Sequence, residues 1–229
     1  MSGSPVTYGY EAALSVLDAG RAAFFGTADV DLPEAMTPGV RNDDGLPQFG
    51  FVGRRYSESR LLILAINPGN GPRDKRDPRD ESALPALERF VKERTQQSFA
   101  FAQRAYQDVC PGWSIWRQHG LPVIAAAGLN LDQVAYSNCL PWRTKSESGF
   151  ATPAARTSVE LYVQPLLREL MPRVVVALGK KAARVVDLIR PLDAEVIVWN
   201  RARAPTKAVI AERAAAAARL SALFGRAAT

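Results

Sequence analysis

Four short segments of the chain are rich in apolar residues and end in polar or glycine-containing turns. Strands that are buried on both faces show nearly continuous apolar runs rather than strict alternation, and central parallel strands are buried in this way. We therefore predict four parallel strands. They are Arg60–Ile66, Gln133–Asn138, Val174–Leu178 and Glu195–Trp199.

Apolar residues between these strands recur at helical spacing. In Tyr10–Phe25, for example, Ala13, Leu14 and Leu17 fall on one face, and Gly26 follows the end. The other predicted helices are Ser82–Val109, Leu121–Ala127, Thr152–Leu170, Lys180–Ile189 and Lys207–Phe224. The alternation of strands and helices predicts an α/β fold, a three-layer α/β/α sandwich around a central four-stranded parallel sheet. Phe51–Tyr56 is a candidate for a further short strand.

The length of 229 residues favours a single domain, 1–229, with a helical insertion at about 73–120. Apolar residues make up 47% of the chain and charged residues 23%, which excludes a disordered or collagen-like protein. The longest apolar runs are far shorter than the ~18 residues that span a bilayer. Residues 1–20 lack a basic segment followed by an apolar one, so we expect no signal peptide. With only two cysteines, we expect a cytoplasmic protein with reduced thiols.

The net charge of +6 is unevenly distributed. Residues 171–229 hold 11 Lys and Arg against 4 Asp and Glu, whereas residues 1–170 are close to neutral. A basic sector attracts polyanions such as nucleic acids. The alternative is a solvated face of arginine-rich helices, and charge alone does not choose between the two.

Ligands of open parallel sheets bind beyond the carboxyl ends of the strands. This rule selects four loops, which are Asn67–Pro72, Asn138–Arg143, Gly179–Lys181 and Asn200–Thr206. An asparagine stands at the start of three of these loops. Asn67 and Asn138 could also simply cap turns, since asparagine is common at such positions.

Familiar catalytic motifs are missing, because the chain has no GxGxxG, GxxxxGK[ST] or HExxH segment. The single histidine, His119, is expected on the surface or in a loop. Cys139 could be a nucleophile, but it lacks an evident base, and a small buried apolar residue is the favoured interpretation. A site of amides and arginines can position water, read a hydrogen-bonding edge and stabilise negative charge, but it is a poor general base. Such a site suits the departure of a good leaving group.

Four segments resemble motifs of the uracil-DNA glycosylase superfamily, in the same order along residues 51–224. Leu61–Pro72 (LLILAINPGNGP) resembles its first motif, in the Asn-Pro-Gly form of the mismatch-specific and single-strand-selective branches. Tyr136–Arg143 (YSNCLPWR) is similar to its base-reading strand. Val174–Val186 (VVVALGKKAARVV) is similar to its strand–glycine–helix element, and Val196–Thr206 (VIVWNRARAPT) takes the place of its DNA-inserting loop.

The resemblance implies hydrolysis of the N-glycosidic bond of a base flipped out of DNA, leaving an abasic site. Asn67 would position the attacking water. Asn138 would read uracil, because a carboxamide can donate to O4 and accept from N3–H, whereas cytosine reverses that pattern. The other residues implied at the base are Ile66, Pro68, Gly69 and Phe51. Those implied to contact DNA are Thr144, Gly179, Lys180, Arg203, Thr206 and Lys207.

The chain departs from the family pattern at three points. Many relatives stabilise the departing base with a histidine in the last motif, and here the candidate for that charge is Arg201; a phosphate-binding or solvated arginine is the alternative. Relatives also carry a stacking aromatic residue that residues 73–89 lack. Its replacement would come from Phe90, Phe101, Trp116 or Phe51, each of which is otherwise expected in the core. Two cysteines cannot hold the four-cysteine iron–sulfur cluster of some relatives, so we expect no metal and no cofactor.

Three functions remain open from the sequence. The first is a monofunctional DNA repair glycosylase that excises uracil or a related deaminated or damaged base and acts as a monomer in the bacterial cytosol, near the nucleoid. Its partner would be DNA that contains such a base, and no membrane. The second is a non-catalytic nucleic-acid-binding domain of the same fold. The third is a hydrolase of small molecules such as nucleosides. The charge distribution favours the first two, and the two asparagines favour catalysis.

Overall fold

The structure is a computed structural model that describes residues 7–25, 46–66, 68, 78–142, 152–189, 192–202 and 205–225. Its five strands are β1 (Phe51–Val52), β2 (Leu61–Ala65), β3 (Val134–Asn138), β4 (Val174–Leu178) and β5 (Glu195–Trp199). They form one sheet in the order β1-β3-β2-β4-β5. Strands β2 to β5 are parallel to one another, which confirms the predicted parallel sheet.

The sheet has one strand more than the four predicted. Strand β1 is only two residues long and pairs antiparallel with β3 at the edge. The strand predicted over Phe51–Tyr56 ends at Val52, and the following residues turn into a short helix at Tyr56–Ser59. Gly53 allows this turn to press against β3, because a Cβ there would lie 2.3 Å from the Asp132 carbonyl oxygen. Two residues are too few to show a period in the sequence.

The helices are α1 (Tyr10–Phe25), α2 (Tyr56–Ser59), α3 (Pro78–Glu93), α4 (Gln96–Val109), α5 (Leu121–Ala126), α6 (Thr152–Ser158), α7 (Gln164–Leu170), α8 (Lys180–Asp187) and α9 (Lys207–Phe224). Two segments of π-helix, Trp116–Gly120 and Val159–Val163, precede α5 and join α6 to α7. Single 3₁₀ turns lie at Cys110–Gly112 and Leu131–Gln133.

The helix predicted over Ser82–Val109 is two helices in the structure. The first ends before Arg94, which has a positive φ of 51° that a helix does not accept. Thr95 then starts α4 with a capping box, in which its side chain accepts from the Ser98 N–H and the Ser98 hydroxyl accepts from the Thr95 N–H. Both helices lie within the predicted insertion.

Helices cover both faces of the sheet, which confirms the three-layer sandwich. On the first face, Leu62 and Leu64 of β2 pack with residues of α1, α3, α7 and α8. On the second face, Leu61, Ile63 and Ala65 pack with residues of α5, α9 and the first π-helix. All of β2, β3 and β4 is buried, as the continuous apolar sequences of β2 and β4 predict, and β3 also buries the polar Ser137 and Asn138. None of the helices in the described part of the chain has the length and apolar character to cross a membrane.

Candidate active site

The carboxyl ends of β2, β3, β4 and β5 form one rim of the sheet, which we call the carboxyl rim. Ala65 lies opposite Asn138 in the register of β2 and β3. Beyond it, the Cys139 N–H donates to the Ala65 carbonyl at 2.6 Å, and the Leu140 N–H donates to the Ile66 carbonyl at 2.8 Å. The chain segments that leave these two strands therefore stay side by side past the end of the sheet.

Several residues that the sequence assigns to the site lie outside the described residues. They are Asn67, Gly69, Thr144 and Arg203. Their roles stay predictions. Ile66 and Pro68, which precede and follow Asn67 in the chain, are both buried.

Asn138 is the last residue of β3, and its side chain is 0% exposed. Its Oδ1 accepts from the Tyr136 hydroxyl at 3.3 Å, whereas its Nδ2 has no hydrogen-bond partner. A buried donor without a partner costs about 1–3 kcal/mol, because it has lost its water and gained nothing in return. An asparagine that caps a turn accepts a backbone N–H with its Oδ1, whereas the Oδ1 of Asn138 accepts from the Tyr136 hydroxyl, so Asn138 differs from the turn-capping alternative.

Aromatic rings pack along the second face just below Asn138. The Tyr136 ring lies 5.1 Å from the Trp116 ring and 6.3 Å from the Phe51 ring, measured between centroids. Phe51 is 1% exposed and also packs on Trp116, so a base could not reach its ring without opening the core. Phe90 and Trp116 are equally buried. Phe101 alone departs from the expected core position, since it is 54% exposed on α4.

Arg201 follows β5 and lies against the end of β4. A methyl group added at Gly179 would stand 3.4 Å from the Cδ of Arg201, so the alkyl part of this side chain passes over the glycine. Gly179 has a φ of 93° and donates its N–H to the Trp199 carbonyl at 2.8 Å. The two predicted site residues are thus in contact at the carboxyl rim, as the topological rule implies.

His119 is where the sequence-based prediction was wrong. It is 6% exposed and lies on the first π-helix, neither in a loop nor on the surface. Burial, with smaller contributions from the charges of Arg213 and Arg201, lowers its pKa to about 4, so the imidazole is neutral at pH 7. A signal was available, because His119 stands three residues after Trp116 and four before Val123, which is the spacing of one helix face.

Unpartnered polar atoms are concentrated on the second face. The described residues contain six buried side-chain N or O atoms without a hydrogen-bond partner, and five of them belong to residues that pack on this side. The five are Trp113 Nε1, Trp116 Nε1, His119 Nδ1, Asn138 Nδ2 and Trp199 Nε1. Four of the five are obligate donors. Asn138 and Trp199 are the two that end strands at the carboxyl rim.

The residues predicted to contact DNA lie at the surface of the carboxyl rim where the structure describes them. Lys180, Thr206 and Lys207 are exposed. Thr206 also caps α9, since its hydroxyl accepts from the Val209 N–H at 3.4 Å. Because the Gly179 N–H is already bonded to Trp199, a phosphate here would bind to the first turn of α8 and to Lys180. The contact of Gly179 with DNA that the resemblance implies stays a prediction.

Cys139 is fully buried, and burial raises the pKa of its thiol far above the ordinary range. The thiolate needed for nucleophilic attack is therefore absent at neutral pH. The interpretation of Cys139 as a small apolar core residue is confirmed.

Within the described ranges, no three His, Cys, Asp or Glu side chains lie close enough together to hold a metal ion. No protein-family model matches this chain, and a search of curated proteins returns no matching relative. Support for a function therefore comes from the motifs and from the geometry of the carboxyl rim.

Proposed function

We propose that the protein is a DNA glycosylase that hydrolyses the N-glycosidic bond of uracil, or of a related deaminated base, and leaves an abasic site. The observation that carries this proposal is the carboxamide of Asn138, which is fully buried at the carboxyl rim with an unpartnered Nδ2. A buried polar group without an internal partner can be satisfied by the hydrogen-bonding edge of a base that enters the site. The Asn-Pro-Gly motif that follows β2, the adjacent strand, is the second support.

Base recognition follows from the chemistry of a carboxamide. Nδ2 donates to the O4 of uracil, and Oδ1 accepts from N3–H while it shares the hydroxyl of Tyr136. Cytosine presents a donor at position 4 and an acceptor at N3, so both pairs would be mismatched. A site built to hydrogen-bond one edge rejects the reversed edge strongly, because its buried polar atoms are then left unpaired.

Bond cleavage relies on the leaving group. The C1′–N1 bond breaks, the base departs with the electron pair, and the oxygen of a water positioned by Asn67 bonds to C1′ and releases its proton to solvent. The permanent charge of Arg201 stabilises the departing anion. The low pKa of His119 keeps its imidazole neutral near pH 7. The positive charge at the departing base therefore comes from Arg201 and not from a protonated His119.

Access to Asn138 requires movement of the rim. Because its side chain is 0% exposed, a base can reach it only after neighbouring chain segments open. Such an opening adds a step before chemistry, which fits an enzyme that must first flip a base from the stack. We also propose that the protein works as a monomer on DNA in the cytosol.

The exposed Lys180 and Lys207 at the rim favour a second candidate, a nucleic-acid-binding domain without catalysis. One experiment separates the candidates. Single- and double-stranded oligonucleotides with one uracil are incubated with the protein, and abasic sites are revealed by alkaline cleavage. We expect cleavage at uracil but not at cytosine, and a loss of at least 100-fold in Arg201→Ala and in Asn138→Ala.

The matched control is Arg55→Gln. Arg55 pairs with Glu58 beside the amino end of β3, at the opposite edge of the sheet, and its loss should leave excision unchanged. A gel shift that weakens with salt but produces no cut strand would replace the glycosylase with the binding domain. Release of base from free nucleosides, without a gel shift, would point to the small-molecule hydrolase.

A further inference from the structure

We propose that Arg213 of α9 is a positioning residue that holds Arg201 in place at the carboxyl rim. This inference rests on the proposed function, because it assigns to α9 the task of fixing the charge that stabilises the departing base. It starts from the contacts of the loop between β5 and α9.

Arg213 bonds to the backbone on both sides of Arg201. Its Nε donates to the Asn200 carbonyl at 2.7 Å, and its Nη2 donates to the Ala202 carbonyl at 3.0 Å. These two carbonyls belong to the residues immediately before and after Arg201. One planar guanidinium therefore fixes the peptide group that precedes Arg201 and the carbonyl of Ala202, one residue after it.

Asn200 fixes the same loop a second time. Its Oδ1 accepts from the Ala202 N–H at 3.0 Å, which closes a tight turn around Arg201. Its Nδ2 donates to Glu212 Oε2 at 2.6 Å. Two consecutive residues of α9, Glu212 and Arg213, are thus bonded to one turn of the loop.

The helix that carries these side chains is itself anchored. Ala216, Leu220 and Phe224 of α9 are buried against the second face of the sheet. The side chain of Arg201 in turn lies against Gly179, which follows the neighbouring strand β4. The route from the core to Arg201 consists of packed side chains and half-buried hydrogen bonds, to which the exposed bond between Asn200 and Glu212 is added.

Arginine is needed at position 213 because of its shape. A guanidinium presents several N–H groups in a rigid plane and can bridge two carbonyls, whereas an ammonium is a point charge on a flexible stem. A displacement of about 1 Å in a catalytic group can cost roughly 100-fold in rate. The lysine variant preserves the charge and removes the bridge, so it isolates the positioning effect.

The experiment measures kcat and KM for uracil excision in Arg213→Lys and Arg213→Gln at pH 8, where His119 stays neutral in every variant. We expect kcat to fall 10- to 100-fold and KM to change less than threefold. The control is Arg219→Gln, on the same helix, whose side chain bonds to Glu195 instead of the loop. This control should keep wild-type kcat.

A double-mutant cycle decides whether Arg213 acts through Arg201. If it does, Arg201→Ala with Arg213→Gln is no slower than Arg201→Ala alone. The proposal is wrong if the kcat losses of the two single variants multiply in the double variant, or if Arg213→Lys keeps wild-type kcat.

Amide exchange at Ala202 gives a readout that does not need activity, and Arg213→Gln should accelerate this exchange at least 10-fold. If the wild-type protein excises nothing, the proposed function fails, and unchanged exchange at Ala202 is then the result that rejects the positioning role.

Discussion

Two adjacent polar residues in β3 have opposite surroundings. The hydroxyl of Ser137 lies 2.6 Å from the Tyr162 hydroxyl and donates to the Phe49 carbonyl at 3.3 Å. Asn138, equally buried, leaves its Nδ2 without a partner. The first side chain holds the fold together, whereas the second weakens it, and residues that weaken a fold are retained where function needs them.

This contrast predicts different effects on stability. Asn138→Leu removes the unpartnered Nδ2 but also the Oδ1 that accepts from the Tyr136 hydroxyl, so the free energy of unfolding should change by less than about 1 kcal/mol while excision is lost. Ser137→Ala should lower it by about 1 kcal/mol, because it removes only partnered hydrogen bonds. Urea unfolding of both variants measures the two changes. A strongly destabilised Asn138→Leu would mean that Asn138 is a structural residue.

His119 predicts how stability depends on pH. Burial, then the charges of Arg213 and Arg201, lowers its pKa from 6.5 to about 4, so the folded state binds fewer protons than the unfolded state between these values. The contribution of His119 to the free energy of unfolding is complete above pH 6.5. This contribution falls by roughly 3 kcal/mol as the pH falls towards 4. The difference between wild type and His119→Gln in urea unfolding isolates this contribution. Parallel pH profiles would contradict the burial of the imidazole.

At the scale of elements, the first π-helix brings the insertion to the carboxyl rim. Trp116 begins it against Tyr136, and His119 lies on the same helix face. Gly120 ends it beneath the Trp116 ring, since a Cβ at that position would lie 2.4 Å from the ring carbon Cε3. Glycine is required at position 120 because there is no space for a side chain. The backbone conformation is not the reason, since a φ of −63° is accessible to any residue.

Gly120→Ala should therefore displace the Trp116 ring and lower the free energy of unfolding by about 1–3 kcal/mol, the usual cost of overpacking. Tryptophan fluorescence should shift in the folded protein, because the ring loses its present site. Gly225→Ala is the matched control. Gly225 follows α9 with a φ of −68°, and a Cβ there would meet no atom closer than 3.8 Å. Equal stability of the two variants would show that the Trp116 site can adapt.

Helix boundaries show which local signals were readable. The bounds of α1 and α9 agree with the prediction, since each combines helical spacing with a clear terminus. The π-helix inside Thr152–Leu170 was not predicted, because one extra residue per turn shifts the apolar pattern too little to see in a short segment. The break at Arg94 was missed for another reason, as its left-handed backbone has no sequence signal comparable to glycine.

At the scale of the whole molecule, the basic sector divides into two parts. Lys180, Arg201 and Lys207 lie at the carboxyl rim, where the proposed DNA partner would bind. Arg173 and Arg219 have structural contacts instead, since Arg173 packs over the Phe224 ring at 5.5 Å and Arg219 pairs with Glu195. A charge count along the sequence cannot make this division, because both groups fall within the same 59 residues, 171–229.

The sequence by itself determined the four parallel strands, the two helical layers and the carboxyl rim that carries the candidate site. These follow from apolar periodicity, which can be read within segments of a few residues, and from the alternation of strands and helices, whose crossover connections are right-handed. Only the tertiary structure decided that His119 is buried, that the Nδ2 of Asn138 lacks a partner and that Arg213 bonds to the loop of Arg201. Each of these depends on side chains from distant parts of the chain, and a hydrogen bond or its absence is settled only when those parts pack together.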